Sequence, residues 1–474
     1  MHVEKDQSRN DVSQLATSEL NNTTVLQIRE AEHARSESYS PSSAILLGGG
    51  GHMGQKYGRF FDQARLPVSA IIDKAPKSPA IASEVPNAKY FHITGAAILE
   101  EHVENALDEF PDAAVFITTP QGTHISILEQ IAPLLHERKV PIRIEKPLAT
   151  NLAELKEFFR VINRYPGFIT QMVAGGYTLD KATPELIALG VFQANESIAR
   201  HIKPTNSESP DFIETYGDPL FNMEKFGKLK HIGFHFHEGR SDIRDVVGGK
   251  FGNRTYLAMY PNGGIVLDLA DHVSDKLAVL GYLTPESRFF SMYLGYIPMG
   301  SAETSFPWPV PQNEGLAEFE VETSLKTDDI PLVLSWGKRG PEFLGDKRKS
   351  TLYFENVNLS TEYSTNEHGQ ANIFSVTTND GQKHSYYLDV DPWVLMLKRF
   401  KGVWENSNQG LRGVYPQVLS SLFLEDIFNI WKGNSTIFFA IDPRIHIRNQ
   451  GLEPKHLQRM ERDEAVIRNI LKNT

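Results

Sequence analysis

The sequence predicts an α/β protein in two parts: an N-terminal doubly wound parallel sheet, then an α+β region built on a large, mainly antiparallel open sheet. Three observations predict it. From Ala44 onward, short apolar runs alternate with helix-sized amphipathic segments, the texture of buried parallel strands covered by helices. Beyond about residue 175 that alternation stops, and strand-like segments follow one another with turns between them. The length, 474 residues, leaves room for two or three domains at about 150 residues each.

Residues 1–43 are polar, rich in Ser, Asn, Glu and Gln, and read as a flexible arm with at most a short helix in TTVLQIREAEHA. Residues 44–174 form the first domain. Its strands are AILL, VSAIID, AAVFIT, PIRIE and FITQMV, spaced by helices such as GAAILEEHVENALDEF and HISILEQIAPLLHE. A further helix, NLAELKEFFRVI, opens with Asn151 as N-cap and Glu154 at the third helical position. Residues 175–442 form the second domain, with strands LKHIGFHFHE, AEFEVETSLK, PLVLSWG, STLYFENV and KHSYYLDV. Helices near 266–280, 392–403 and 414–431 are expected to cover one face of that sheet. Residues 443–474 form a charged tail ending in a helix whose Leu and Ile side chains suit docking on a neighbour or another subunit.

Composition narrows the function. With 40% hydrophobic and 23% charged residues the chain is globular, not disordered. It has no run near the roughly 18 apolar residues of a membrane helix, and MHVEKDQSRND lacks the apolar core of a secretory signal, so a cytoplasmic location is expected. Absence of cysteine excludes disulfides, thiolate metal sites and a thiol nucleophile. A net charge of −11 disfavours nucleic acid and anionic membranes as partners and leaves a small molecule as the expected ligand.

The strand AILL runs into GGGGHMG, where Gly49, Gly51 and Gly54 stand in G-x-G-x-x-G spacing around His52 and Met53. Such glycines allow a tight turn, close approach of backbone to a pyrophosphate, and close helix–strand packing, which makes this a Rossmann dinucleotide-binding turn. Asp73 ends the second strand nineteen residues after Gly54, where a carboxylate accepts ribose hydroxyls and repels a 2′-phosphate. NAD is the expected cofactor, while Lys74 and Lys77 keep NADP open. At the same sheet edge, VFIT breaks at Thr119 and Pro120 before a helix beginning near His124, and PIRIE ends in Glu145, Lys146 and Pro147.

In the second domain, Asp268, His272 and Asp275 of NGGIVLDLADHVSDKLAVLG fall at i, i+4 and i+7, one face of a helix. A carboxylate beside an imidazole is an acid/base arrangement, and equally a structural cap or salt bridge. His231, His235 and His237 alternate on one strand face; without a third ligand no metal is expected there. Arg240 and Arg244 suit an anionic substrate group, or the surface.

The glycine turn, VFITTPQGTH, Glu145-Lys146-Pro147 and the run from Gly263 to Asp275, in this order and spacing, resemble the Gfo/Idh/MocA family of NAD(P)-dependent oxidoreductases. The resemblance covers about 44 to 440 and implies action on sugars, cyclitols or their derivatives. It further implies that Lys146 and His272 flank the reacting carbon with Asp268 in the pocket, and that the Lys146–Pro147 bond is cis. Three features depart from the family. Ala270 stands where glycine is usual, Asp271 adds a charge, and GGYTLDKATPE replaces an Asn-Tyr-Arg pattern, leaving Tyr177 and Lys181 as substrate contacts. The leading expectation is hydride transfer between NAD(P) and a secondary alcohol or ketone. Alternatives are a glycosidase or epimerase that recycles bound NAD, and a dinucleotide-binding regulator without turnover. Alternation along strands from 317 to 357 predicts a homodimer or homotetramer built on the uncovered sheet face.

Overall fold

The computed structural model describes residues 30, 38–50, 58, 60–94, 98–175, 201–216, 224–238, 264–279, 283, 288–299, 315–327, 330–338, 347–362, 373–405 and 413–433. Two sheets carry the architecture. The first contains β1 (Ser43–Leu47), β2 (Val68–Asp73), β3 (Lys89–His92), β4 (Ala113–Ile117), β5 (Ile142–Ile144) and β6 (Met172–Ala174). Their order is β3-β2-β1-β4-β5-β6 and every pairing is parallel. Order reverses at β1, which lies between β2 and β4. The crevice beyond the carboxyl ends of β1 and β4 is therefore the topological switch point, where open α/β sheets bind ligands.

Among the described residues, α1 (Pro79–Glu84), α2 (Leu99–Glu109), α3 (His124–Glu137) and α4 (Leu152–Arg164) connect β2 through β6. Val103 of α2, Leu128, Ile131 and Leu135 of α3, and Phe158 of α4 bury one face of the sheet, meeting Ile45, Leu47 and Val115. The α4 start is as the sequence predicts, since Asn151 Oδ1 accepts a 3.0 Å bond from Glu154 N. Glu154 reaches back one residue further than a simple capping box, accepting from Thr150 N at 2.7 Å. The segment FITQMV differs from expectation. Gly167, at φ 84°, starts a 3-10 turn over Phe168–Gln171, so only Met172–Ala174 pair as a strand.

Among the described residues the second sheet has nine strands: β7 (Ile202–Pro204), β8 (Leu229–Glu238), β9 (Arg288–Met299), β10 (Gly315–Thr327), β11 (Ile330–Lys338), β12 (Lys347–Phe354), β13 (Val357–Glu362), β14 (Ile373–Thr378) and β15 (Lys383–Leu388). The order is β7-β15-β14-β13-β12-β8-β11-β10-β9. Only β8 and β11 pair in parallel; the other neighbours are antiparallel. A short helix, α5 (Phe212–Tyr216), lies beside β7.

The three longer helices of the second part are α6 (Gly264–Val279), α7 (Pro392–Glu405) and α8 (Val414–Gly433). Helix α6 packs on β8, β10 and β11, and α8 packs on α6 while also meeting α4 and β6. Helix α7 departs from expectation. Its Val394, Met396, Leu397, Phe400, Val403 and Trp404 join Leu46, Phe60, Phe61 and Phe116 in a core on the other face of the first sheet. No described helix is long and apolar enough to cross a membrane.

Candidate active site

The glycine turn begins where β1 ends. Gly48 has φ +79°, and a Cβ there would lie 2.7 Å from Thr119 Cγ2 and 2.9 Å from Thr119 Cα. A side chain is excluded by both backbone conformation and space. A Cβ on Gly49 would meet Leu46 Cβ at 2.8 Å, and one on Gly50 would meet Asp73 Oδ2 at 2.7 Å. The backbone thus lies as close to β1 and β2 as a pyrophosphate-binding turn requires. Asp73 accepts from Gly50 N at 2.7 Å through Oδ2 and from Ala75 N at 2.8 Å through Oδ1, which fixes its carboxylate at the sheet edge. Tyr90, on β3, donates a 2.6 Å bond to the Ala75 carbonyl. Burial pushes its phenol up to about 12, and the Asp73 charge adds to the rise. Glycines without room for a side chain and an oriented carboxylate at the next strand end fit a dinucleotide. Gly51, His52, Met53 and Gly54 lie outside the described residues.

The β4 and β5 ends are tied together by His124. Its ring, 1% exposed at the start of α3, has Nδ1 2.7 Å from the Pro147 carbonyl oxygen and Nε2 2.8 Å from that of Thr119. One imidazole thereby spans the turn containing Thr119 and Pro120 and the loop containing Lys146. The Lys146–Pro147 bond is cis. On β5 itself the sequence reading overlooked Arg143, which is fully buried. Its guanidinium donates to the Glu145 carboxylate and, at 3.1 Å, to the Gly175 carbonyl, and it sits 5.9 Å from the Phe116 ring centroid and 5.4 Å from that of Phe400. Glu145 therefore turns into the core beside Arg143. The signal was present in PIRIE, where opposite charges at i and i+2 share one face of an otherwise apolar strand.

Helix α6 brings the second set of groups. His272 is buried, at 5% exposure, and Asp268 occupies the register one turn earlier; the Asp268 side chain lies outside the described residues. Asp271 and Asp275, one turn apart, are both fully buried. Asp271 Oδ1 accepts a 2.6 Å bond from Ser420 Oγ, with Gln417 Nε2 at 3.5 Å. Burial raises the proton affinity of Asp271, an effect opposed by the nearby Lys146 ammonium and the Ser420 hydrogen bond. Burial pushes Asp275 up to about 8, the Asp271 charge adds to the rise, and the Gln417 side chain, then Arg399 and Lys146, oppose it. Lys146 is half-buried and acts on both carboxylates.

Helix α8 braces both sides of this group. Gln417 Oε1 accepts from Leu148 N at 3.0 Å, Ser421 Oγ pairs with Ala149 N at 3.3 Å and Ala149 O at 3.1 Å, and Glu425 Oε2 accepts from Leu152 N at 3.0 Å. Ser420 meanwhile binds Asp271 and Ser274 on α6. Thus Lys146, Asp271 and Asp275 converge around α8, with His272 next to Asp271 on α6 and with Thr119, His124 and the glycine turn along the first sheet's edge. Tyr177, Lys181, Arg240 and Arg244 lie outside the described residues, as do the side chains of His235 and His237.

No curated protein matches the chain. Among solved structures it is similar to levoglucosan dehydrogenase in complex with NADH and levoglucosan, at 15% identity over 83% of this chain and 98% of that one, with TM-score 0.55. It is also similar to the UDP-N-acetylglucosamine 3-dehydrogenase GnnA from Acidithiobacillus ferrooxidans, at 12% identity over 81% of this chain and 96% of that one, with TM-score 0.50. At these identities the likeness is one of fold. The model for an oxidoreductase family with an NAD-binding Rossmann fold, GFO_IDH_MocA, matches residues 44–169. The parallel sheet, the start of the glycine turn and the oriented Asp73 all lie within the residues that this model matches, and together they are the parts of an NAD-binding Rossmann fold.

Proposed function

We propose that the protein is an NAD(P)-dependent oxidoreductase moving hydride between the dinucleotide and a secondary alcohol or ketone of a sugar, cyclitol or related polyol derivative. The observation that supports this reading is that Lys146, at the edge of the first sheet, acts on Asp271, the residue before His272 on a helix of the second part, and that one helix braces both segments. The solved relatives with names of sugar dehydrogenases support the substrate class.

When bound, the nicotinamide supplies the hydride acceptor or donor. The chain's own residues manage the proton and the substrate oxygen. In the oxidative direction His272 takes the hydroxyl proton as the carbonyl forms, a role that demands a base within hydrogen-bond reach. Lys146 holds the same oxygen through a charge-assisted bond, and Asp268 orients the imidazole from one turn away. Asp73 binds the adenosine ribose and favours NAD over NADP. The sheet face turned away from α6 serves self-association into a dimer or tetramer, which light scattering at micromolar concentration tests directly.

Absorbance at the NADH band, with a panel of sugars, cyclitols and uronic acids, tests the chemistry. His272→Ala should slow single-turnover hydride transfer about 100-fold or more with NAD affinity almost unchanged. Lys146→Ala should raise KM and lower kcat together. Wild-type hydride transfer in His272→Ala would refute the proposed base. Product without net NADH would instead mark an enzyme that recycles its bound cofactor.

A further inference from the structure

Lys146 and His272 sit on segments far apart in sequence, and one side chain touches both segments. Gln417, near the start of α8, is fully buried. Its Oε1 accepts a 3.0 Å bond from the N–H of Leu148, which follows the cis Lys146–Pro147 peptide, and its Nε2 lies 3.5 Å from Oδ1 of Asp271, the residue before His272. The other polar groups on this face of α8 each hold one side. Ser421 and Glu425 hold the loop, and Ser420 holds α6. Gln417 is itself seated firmly. Its N–H donates 3.1 Å to the Gly413 carbonyl, and Gly413, at φ +80°, lies so near β6 that a Cβ there would be 2.4 Å from the Ala174 oxygen.

We propose that Gln417 is a positioning residue for hydride transfer, its amide fixing the separation and relative orientation of Lys146 and His272. This rests on the reading of those two residues as the reacting pair. An amide suits the place because it offers an acceptor and a donor side by side. Leu148 N–H needs the acceptor, and the donor faces the carboxylates of Asp271 and Asp275. The surroundings sharpen the demand on the donor end. Asp271 faces Ser420 and Gln417 from α8, Lys146 and Glu145 from the end of β5, and Asp275 one turn along α6, itself near Gln417 and near Arg399 of α7. A glutamate of the same shape would keep the acceptor but donate only while protonated. A leucine would do neither.

The test uses Gln417→Leu and Gln417→Glu beside Lys146→Ala and His272→Ala, with kcat, KM, NADH affinity and melting temperature measured for each. Gln417→Leu should lower kcat at least tenfold with KM and NADH affinity within about twofold of wild type. Gln417→Glu should approach wild-type kcat at pH 6 and fall toward the leucine variant by pH 9, as the new carboxyl ionises against Asp271. A role confined to packing would lower the melting temperature without that pH dependence. Wild-type kcat in folded Gln417→Leu, or a Gln417→Glu to wild-type ratio that is flat from pH 6 to 9, would overturn the proposal. If Gln417→Leu does not fold, the pH dependence of Gln417→Glu decides alone. Undiminished turnover in both Lys146→Ala and His272→Ala would sink the functional reading itself, an outcome separable from failure at Gln417.

Discussion

Arg143 and Glu145 form an ion pair inside the protein, one residue apart on either side of Ile144, with Arg143 fully buried and Glu145 4% exposed. Two charges survive there because each is held by the other, and because the guanidinium also meets the Gly175 carbonyl and two aromatic rings. Removing one partner strands the second. Arg143→Met should therefore destabilise the protein by about 3–5 kcal/mol in urea unfolding, whereas Arg143→Met combined with Glu145→Leu should recover most of that loss. Equal stability of the single and double variants would show that the pair is not the source of the cost.

The Asp271–Asp275 pair links stability to pH. Folded, Asp275 keeps its proton up to about 8; unfolded, it loses it near 3.8. Across that window the folded protein holds a proton that the unfolded chain has released. Rising pH therefore lowers stability, by on the order of 1.4 kcal/mol per pH unit for one proton. The contribution is whole below the unfolded value and lost as pH climbs through the folded one. Asp275→Asn, nearly isosteric and unable to ionise, should gain melting temperature relative to wild type between pH 5 and pH 8. A difference between variant and wild type that is constant over that range would exclude titration of Asp275 there.

Asp73 does two things, orienting the glycine turn through Gly50 and offering its carboxylate at the sheet edge. Asp73→Ser should cost NAD at least tenfold in affinity by calorimetry, and NADP less, so that the preference between them narrows. If NADP already binds wild-type protein more than tenfold tighter than NAD, the role assigned to Asp73 is wrong.

His124 offers a similar test without cofactor chemistry. His124→Phe preserves most of the buried volume but leaves the Thr119 and Pro147 carbonyls without the imidazole. A loss of roughly 1–3 kcal/mol is expected from the unsatisfied buried group. NAD should also stabilise this variant less than wild type in thermal denaturation, because both loops it frees border the cofactor site. Unchanged stabilisation by NAD would separate His124 from that site.

Much of this was legible from local pattern. Strands β1, β2, β4 and β5 of the first sheet, the Asn151 cap, and the helices around 264–279, 392–405 and 414–433 follow from apolar period and capping residues. What escaped was of two kinds. Strand β3, Lys89–His92, is an edge strand of four residues without a buried run, so no periodicity announces it. Helix α7 was recognisable as a helix, but amphipathicity says that a face is covered and not by what. Asp271 shows the same limit within the site. Its charge was visible as a departure beside His272, yet only the fold brings Ser420 and Gln417 to it from 149 and 146 residues away.

The cover that α7 provides has a consequence during synthesis. Strand β6, the last of the first sheet, ends at residue 174, and α7 begins at 392, so the 217 residues 175–391 lie between them. At about 5–20 residues per second the ribosome takes roughly 10–40 s to make that stretch. Until Trp404 emerges to close over Phe116 and donate to the Gln171 carbonyl, the aromatic side of the nascent sheet has no lid. The nucleotide-binding part of this protein is thus translated early and finished late, and a fragment released before α7 would carry the kind of apolar surface that chaperones hold.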